Sequence, residues 1–581
     1  MEQIAARKHP RALPFLFFTE MWERFGYYLM IGIFQLYMTA SLAEGGLGFD
    51  RKDAADIYGT FIAFVFLTPF LGGLLADRVL GYRRSIYIGG ILMGLGYCGL
   101  ALDGMGYFYS SLALIIVGNG FFKPNISTLL GNLYSEDQYK SNKDSGYNIF
   151  YMGINIGALV CNFFAAFMRN KYGWEFAFLT AGIGMFLGLI IFAIGTRHYS
   201  HADVKKAAQK EDMSVARVLS LVLLPAIAVG IGGWLIPGNL FGSDSTDAFI
   251  FACIPVIAFY VSLYTRAAAS DKRPIAALLA VMAVSVMFWA VFKQNGTALT
   301  TWAQFYTDRE LPAAIANGAD SLYLAEKVTN APDSVSLYNE KFQVQKADGK
   351  FITVLEKPIY FRIWNFSLFL FNEKSHVEKV DGKPIKVWDK PIYFRNLQTE
   401  KMPAEGETVK LVNTEIFQSI NPFWVVVLTP LVVGFFAFLR KRKREPSTPD
   451  KIMWGLFISG LSTLVMIWAV MSCHNGIEKA SSWWLIGCYG VITIGELFLS
   501  PMGLSMVSKL SPPRLTALMM GGWFLSTSIG NKLSGILATL WDTYENKSNY
   551  FLVNFILLIV ATIILLSMLK WLRKIFKEHA A

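Results

Sequence analysis

Cysteine is scarce, with five in 581 residues. Cys98, Cys161, Cys253, Cys473 and Cys488 stand far apart, mostly inside apolar runs, without the spacing of a metal site or a disulfide framework. The six histidines form no tight group. There is no glycine-rich phosphate loop and no nucleophile elbow. These absences argue against an enzyme and against a metal or organic cofactor. Charge is sparse as well. Asp, Glu, Lys and Arg make up 16% of the chain, against 54% hydrophobic residues and a mean hydropathy of +0.41. A water-soluble protein of that composition would need an implausibly large core. Acidic residues are outnumbered by basic ones, 42 to 53, for a net charge of +11. In a soluble protein that excess would point to nucleic acid; its distribution here excludes that reading.

What the chain does have is a succession of apolar runs, each about 20 residues long, the length of a bilayer-spanning helix. Fourteen helices are expected, at 14–41, 54–77, 84–103, 107–133, 145–169, 174–196, 217–236, 248–266, 274–304, 417–439, 452–472, 482–508, 514–540 and 549–574. The expected class is an all-α polytopic membrane protein seated in a lipid bilayer. The basic residues fall on alternate loops, such as RVLGYRR (78–84), RHYSHADVKK (197–206) and RKRKREPSTPDK (440–451). The intervening loops, such as DGMG (103–106), PGNLFGSDSTD (237–247) and CHNGIEKASS (473–482), are poor in Lys and Arg. This is the positive-inside pattern, and it predicts cytoplasmic termini in a cell inner membrane. The opening MEQIAARKHPR runs straight into the first helix with no small-residue cleavage site, so no removable signal peptide is expected.

One segment interrupts the helices. Residues 305–416 are polar, and alternation places them outside. They hold an internal repeat: LYNEKFQVQKADGKFITVLEKPIYFR (337–362) matches LFNEKSHVEKVDGKPIKVWDKPIYFR (370–395), offset by 33 residues. Each copy alternates around an Asp-Gly, at Asp348-Gly349 and Asp381-Gly382, which is a hairpin signal. A small duplicated β module is expected, either a tolerated surface insertion or a binding unit.

Six ionisable residues lie deep in the apolar runs: Glu20, Glu23, Arg24, Lys123, Lys293 and Glu496. Each charge in hydrocarbon costs about 2.5–3.5 kcal/mol even on the lenient insertion scale. Three are acidic and three basic, so mutual pairing can neutralise the set. Glu20 and Arg24 are i,i+4 neighbours and can pair. Glu23, adjacent to Arg24 in sequence, does not face it squarely and is expected to seek a partner on another helix; Lys123 is the candidate by charge. Glu20, Glu23, Arg24, Tyr27, Tyr28 and Ile31 share one helical face, which must meet protein or a water-filled cavity. Pro124 and Pro501 are expected to disturb their helices. Asn155 and Asn421 suit either helix packing or ligand contact, and Trp289 and Trp523 suit either packing or a pocket wall.

TEMWERFGYY (19–28) resembles the E-x-x-E-R-F motif of the proton-dependent oligopeptide transporter family, a branch of the major facilitator superfamily. GFFKPNIS (120–127), FYMGINIGA (150–158), QSINP (418–422) and GELFLSP (495–501) resemble that family's motifs on later helices, in the same order. GLLADRVLGYRR (73–84) resembles the superfamily's loop between helices two and three. The resemblance covers nearly all of the chain outside 305–416. It implies two six-helix bundles and two extra helices. The parts would be a bundle at 1–200, a linking pair at 201–270, a second bundle at 271–304 and 417–581, and the insertion at 305–416. It implies proton-coupled symport of di- and tripeptides by alternating access. Protons are then the coupling ion; peptide and bilayer are the partners, with no obligate protein partner.

By position the resemblance also implies roles. Glu20, Glu23 and Arg24 form a proton-coupling cluster with Lys123. Glu496 and Asn421 receive the peptide amino terminus, Asn155 and Tyr28 contact the peptide, and Trp289 and Trp523 line pockets. Three positions depart from the family pattern. Ile31 stands where an arginine is usual, Lys293 where an acid is usual, and Phe66 where a tyrosine is usual. Lys293 is expected to restore part of the missing positive charge toward the substrate. The same family includes carriers of nitrate and other solutes such as amino-acid derivatives, and a nutrient receptor with a signalling outer module is a further reading.

Overall fold

The structure is a computed structural model that describes residues 9–579. It omits 41–43, 135, 137, 140–142, 205–216, 218, 242, 331–332 and 513–514; within 335–390 it describes 361–363, 366–368, 379–380, 383–384 and 388–389. The apolar runs are helical. The first group comprises α1 (Leu13–Thr39), α2 (Arg51–Leu75), α3 (Tyr82–Gly99), α4 (Met105–Leu133), α5 (Lys143–Tyr172) and α6 (Trp174–Gly195). Helix α1 packs on α5 and α6, α3 on α4 and α6, and α2 on α4. Two helices follow as an antiparallel pair, α7 (Leu224–Trp234) and α8 (Asp244–Arg266). A π-helical turn, Leu219–Leu223, precedes α7, and Pro225 sits in its first turn, where a missing N–H costs nothing. The regular helix is therefore shorter than the run expected at 217–236.

The second group comprises α9 (Ala269–Phe292), α10 (Ala298–Phe305), α12 (Ile420–Lys441), α13 (Thr448–Ser472), α14 (Ser482–Leu510), α15 (Thr516–Thr539) and α16 (Lys547–His579), with a short α11 (Ala313–Ser321) in the insertion. The single helix expected at 274–304 is two. A 3-10 turn, Lys293–Gly296, and Thr297 at φ −127°, ψ −89° separate α9 from α10. The break is anchored: Gln294 donates to Asn554 at 2.8 Å and accepts from the Tyr550 hydroxyl at 2.6 Å, both on α16. Helices α4 and α14, by contrast, continue through Pro124 and Pro501.

Among the described residues ten helical stretches are long and apolar enough to cross a membrane. The other four of the fourteen expected spans are α1, with its three charges, and α3, α7 and α15. The two groups have separate cores. One cluster of buried apolar side chains draws only on residues 12–202 and a second only on 275–575. The groups are therefore two bodies, each burying its own apolar face, that meet along a seam. Helices α2 and α15 touch where glycine faces glycine: a Cβ on Gly59 would lie 2.8 Å from the Gly535 Cα, so only hydrogen fits.

Alternation of the helices puts both termini on one face and the insertion on the other, here the terminal face and the module face. Among the described residues, the hydrogen bonds and ion pairs joining the two bodies run from mid-depth to the module face. They include Arg51–Asp542, Lys532–Asp56, Lys532–Thr60, Ser528–Ala63, Gln418–Gly32, Asn162–Ser419, Ser419–Leu159 and Arg169–Glu415. Among the described residues, these bonds close the bodies against each other at the module face.

In the insertion, β1 (Ala325–Thr329) pairs antiparallel with β2 (Thr408–Val412). Val328, Tyr393, Phe394, Leu397 and Leu411 pack beside them. Lys379–Val380 pairs antiparallel with Lys383–Pro384; Asp381-Gly382 between them and Asp348-Gly349 both lie outside the described residues. The stem is wired into the helices. Asn396 donates to the Phe305 and Gly476 carbonyls at 3.1 and 3.2 Å, Gln398 to Lys479 at 3.1 Å, and Asn170 of α5 to Tyr323 at 3.0 Å.

Candidate functional site

The charged face of α1 is buried: Glu20, Glu23 and Arg24 are 3%, 0% and 3% exposed. Arg24 pairs with Glu20 at 3.3 Å, one turn away, as the spacing predicts. The reading of Glu23 is overturned. Its two carboxylate oxygens accept from Arg24, Oε2 from Nε and Oε1 from Nη2, the latter at 2.6 Å. Adjacent helical residues point about 100° apart, but the guanidinium is long enough to curl across that angle. It lies 5.2 Å over the Tyr27 ring as it does so. Glu20 is the looser partner, and its Oε2 is buried without a hydrogen bond.

Lys123 pairs with no carboxylate among the described residues. Its ammonium lies 4.0 Å over the ring of Phe66, on α2. Lys293, at the α9–α10 break of the other body, lies 5.3 Å from the same ring. Phe66 thus takes a cation from each body, a contact worth about 2 kcal/mol when desolvated. A tyrosine there would add a hydroxyl to a place where two ammonium groups already converge.

On the second body, Asn421 at the start of α12 donates to Thr493 Oγ1 at 2.8 Å and to Glu496 Oε2 at 3.2 Å, both on α14. The amide therefore aims the carboxylate. Thr493, three residues before Glu496, was not singled out from the sequence, although a Thr one turn from a buried acid is a readable signal. Lys293 and Glu496 belong to the same body but make no ion pair within 4.0 Å.

The remaining expected site residues divide. Tyr28 is half-buried beside Tyr27, with ring centroids 5.3 Å apart. Asn155 donates to the Tyr151 carbonyl of its own helix at 2.9 Å, so it does not glue α5 to a neighbour. Trp289 and Trp523 belong to the apolar core of the second body; Trp523 fills the space opposite Gly503, and the Trp289 indole N–H has no hydrogen-bond partner. Ile31 is core. The count of six intramembrane charges was also short by two. Asp56 and Lys532 lie within the expected runs 54–77 and 514–540, and they pair across the seam at 2.6 Å.

The profile of the POT family matches residues 83–316 and 394–572. The chain belongs to the POT family. Among its relatives are an uncharacterized transporter, YclF, from Bacillus subtilis (strain 168), 28% identical over 96% of this chain and 93% of the relative. The di-/tripeptide transporter of Lactococcus lactis subsp. lactis (strain IL1403) is 27% identical over 98% and 97% of the two chains. A crystal structure of peptide transporter POT in complex with sulfate superposes with a TM-score of 0.71 at 26% identity, covering 100% of this chain and 98% of that one. As a POT protein this is a multi-pass helical membrane transporter of the major facilitator type.

Proposed function

We propose that this POT protein imports di- and tripeptides together with protons by alternating access, with the terminal face cytoplasmic and the module face outside, in a cell inner membrane. One observation carries the reading. Two cations, one from each body, converge on Phe66, while the carboxylate of Glu496 is aimed by Asn421 from the second body. A peptide zwitterion has one carboxylate and one ammonium held apart, and a carboxylate on the second body set apart from two ammonium groups, one from each body, suits that dipole. The Lactococcus relative is named for the same substrates. The α1 cluster supplies the second requirement, two carboxylates sharing one guanidinium, so one of them can take a proton without leaving a bare cation. Closure at the module face makes this the inward-facing arrangement, and rocking about the seam gives the other.

In this reading Lys123 and Lys293 receive the peptide carboxylate, and Glu496 with Asn421 receives the amino terminus. Tyr28 and Asn155 border the peptide, and Trp289 and Trp523 back the site through packing. Residues 1–200 and 271–304 with 417–581 act as the two rocking bodies, joined by 201–270. The protein is a carrier and no enzyme, needing no cofactor besides the proton.

The test is uptake of labelled dialanine into proteoliposomes under an inward proton gradient, challenged with tripeptides, free amino acids and nitrate. Accumulation abolished by collapsing the gradient and competed by tripeptides supports the reading. Competition by nitrate or amino acids alone would make it a carrier of another solute, and binding without movement of label would make it a receptor.

A further inference from the structure

The α7–α8 pair is an apolar hairpin beside the bodies, yet α8 enters the seam at its most charged point. Lys532 of α15 is 1% exposed. Its ammonium donates to Asp56 Oδ1 at 2.6 Å and to Thr60 Oγ1 at 2.5 Å, both on α2, and to Ser245 Oγ at 3.3 Å, on α8. Asp56 accepts in addition from Thr246 Oγ1 at 2.9 Å and from the Ser245 hydroxyl. Three segments of different parentage thus meet at one buried ion pair: α2 of the first body, α15 of the second, and the first turn of α8.

That turn is held firmly. Ser243 accepts from the Thr246 amide at 3.2 Å, and the fully buried Asp247 accepts from the amides of Leu240 and Phe241 at 2.7 and 2.8 Å, folding the preceding loop onto the helix start. Among the described residues, the hydrogen bond at the far end of α8 goes to the second body. The Tyr260 hydroxyl donates to the Leu518 carbonyl of α15 at 2.9 Å, and two residues, Ala267 and Ala268, separate α8 from α9. Between these ends, Phe249 and Cys253 lie against Ala63 and Phe64 of α2.

We propose that α8 is a working part of the outer gate: it stays with the second body and, through Ser245 and Thr246, holds Asp56 of the first body in the closed position. Opening to the outside must part Asp56 from Lys532. An isolated buried charge is far costlier than a paired one, so the energy of that parting depends on what remains beside each group. Ser245 stays with Lys532 on the second body. The Thr246 hydroxyl loses its bond to Asp56. The Thr246–Asp56 bond therefore exists only when the gate is closed, and it biases the equilibrium toward closure.

The proposal rests on the alternating-access reading, but its test needs no substrate, so the two can fail separately. Ala55 of α2 is 1% exposed and faces the Gly535 contact. An Ala55→Cys variant, in a chain whose five native cysteines are replaced, reports outer opening through its rate of reaction with a membrane-impermeant maleimide. Thr246→Val keeps shape and loses the hydroxyl. It should speed labelling about tenfold, the shift expected when one hydrogen bond to a charged group is lost. Asp56→Asn with Lys532→Gln, which removes both charges together, should speed it further and change kcat of peptide exchange while KM stays within about twofold. A merely structural role would lower the yield of folded protein without changing the labelling rate per folded molecule. Unchanged labelling in Thr246→Val, alone or beside accelerated labelling in the double variant, overturns the assignment of α8 to the gate.

Discussion

Two carboxylates on α1 share one guanidinium, and the looser one should carry the transported proton. Glu23 receives two bonds from Arg24, whereas Glu20 has a single contact at 3.3 Å and a second oxygen with no hydrogen bond. A hydrogen bond to a charged group contributes about 1.5–3 kcal/mol. Protonating Glu23 sacrifices at least one more such bond than protonating Glu20, so the proton should favour Glu20. Glu20→Gln imitates the protonated state permanently. In proteoliposomes with an inward proton gradient it should cut dialanine accumulation at least about tenfold while leaving peptide-for-peptide exchange within about threefold, since exchange moves no net proton. Glu23→Gln should still accumulate peptide above the gradient-free level, with a raised KM because Arg24 loses its forked partner. The reasoning fails if Glu20→Gln still concentrates peptide in response to the gradient, and equally if only Glu23→Gln loses that response.

Three further outcomes are expected. N-acetylated dipeptides should compete poorly with free ones, and Glu496→Gln should shrink that discrimination; equal competition in the native protein would refute the role of Glu496. Lys293→Ala should weaken inhibition by peptides with a free carboxylate more than by their amides, and Phe66→Leu should act in the same direction by removing the ring both cations share; equal losses for both ligand types would make Lys293 a structural group. Replacing 335–387 by a short Gly/Ser linker should leave uptake within about threefold, whereas replacing 312–412 should lower the yield of folded protein, because Asn396, Gln398 and the β1–β2 stem are bonded to the helices. Comparable yields for the two deletions, read by size-exclusion chromatography, would show the stem to be dispensable.

The helices were legible because a bilayer imposes one length and one composition on every span. Local charge geometry was legible only where it follows the helical period. Glu20 and Arg24 are one turn apart and do pair; Glu23 and Arg24 are adjacent, and their pairing depends on how a flexible side chain curls, which spacing does not encode. The break after Phe292 had a signal, the polar run Lys293–Thr297 inside an apolar stretch, but its anchoring to Tyr550 and Asn554 spans more than 250 residues. Asp56 and Lys532 went uncounted for a similar reason. The end residues apart, each is the one charge in its run, and their pairing is a matter of how two bodies meet rather than of either sequence neighbourhood.

That distinction sorts the intramembrane charges by task. Contacts made inside one body, Arg24 with Glu20 and Glu23, or Asn421 with Glu496, keep their geometry while the bodies rock, because each body moves with its own core. Such contacts can hold a proton or a substrate group through the whole cycle. Contacts made between the bodies, Asp56 with Lys532, Arg51 with Asp542 and Arg169 with Glu415, must break each time the module face opens. They therefore set the balance between the two arrangements, with about 1.4 kcal/mol shifting it tenfold. Phe66 belongs to neither class. It is carried by the first body and touched by a cation of each, so the distance from Lys293 to the ring changes as the bodies rock while that from Lys123 does not. A peptide carboxylate seated between those two ammonium groups would feel both cations in one arrangement and chiefly Lys123 in the other. In the proposed reading Lys293 would thereby couple substrate binding to the state of the seam.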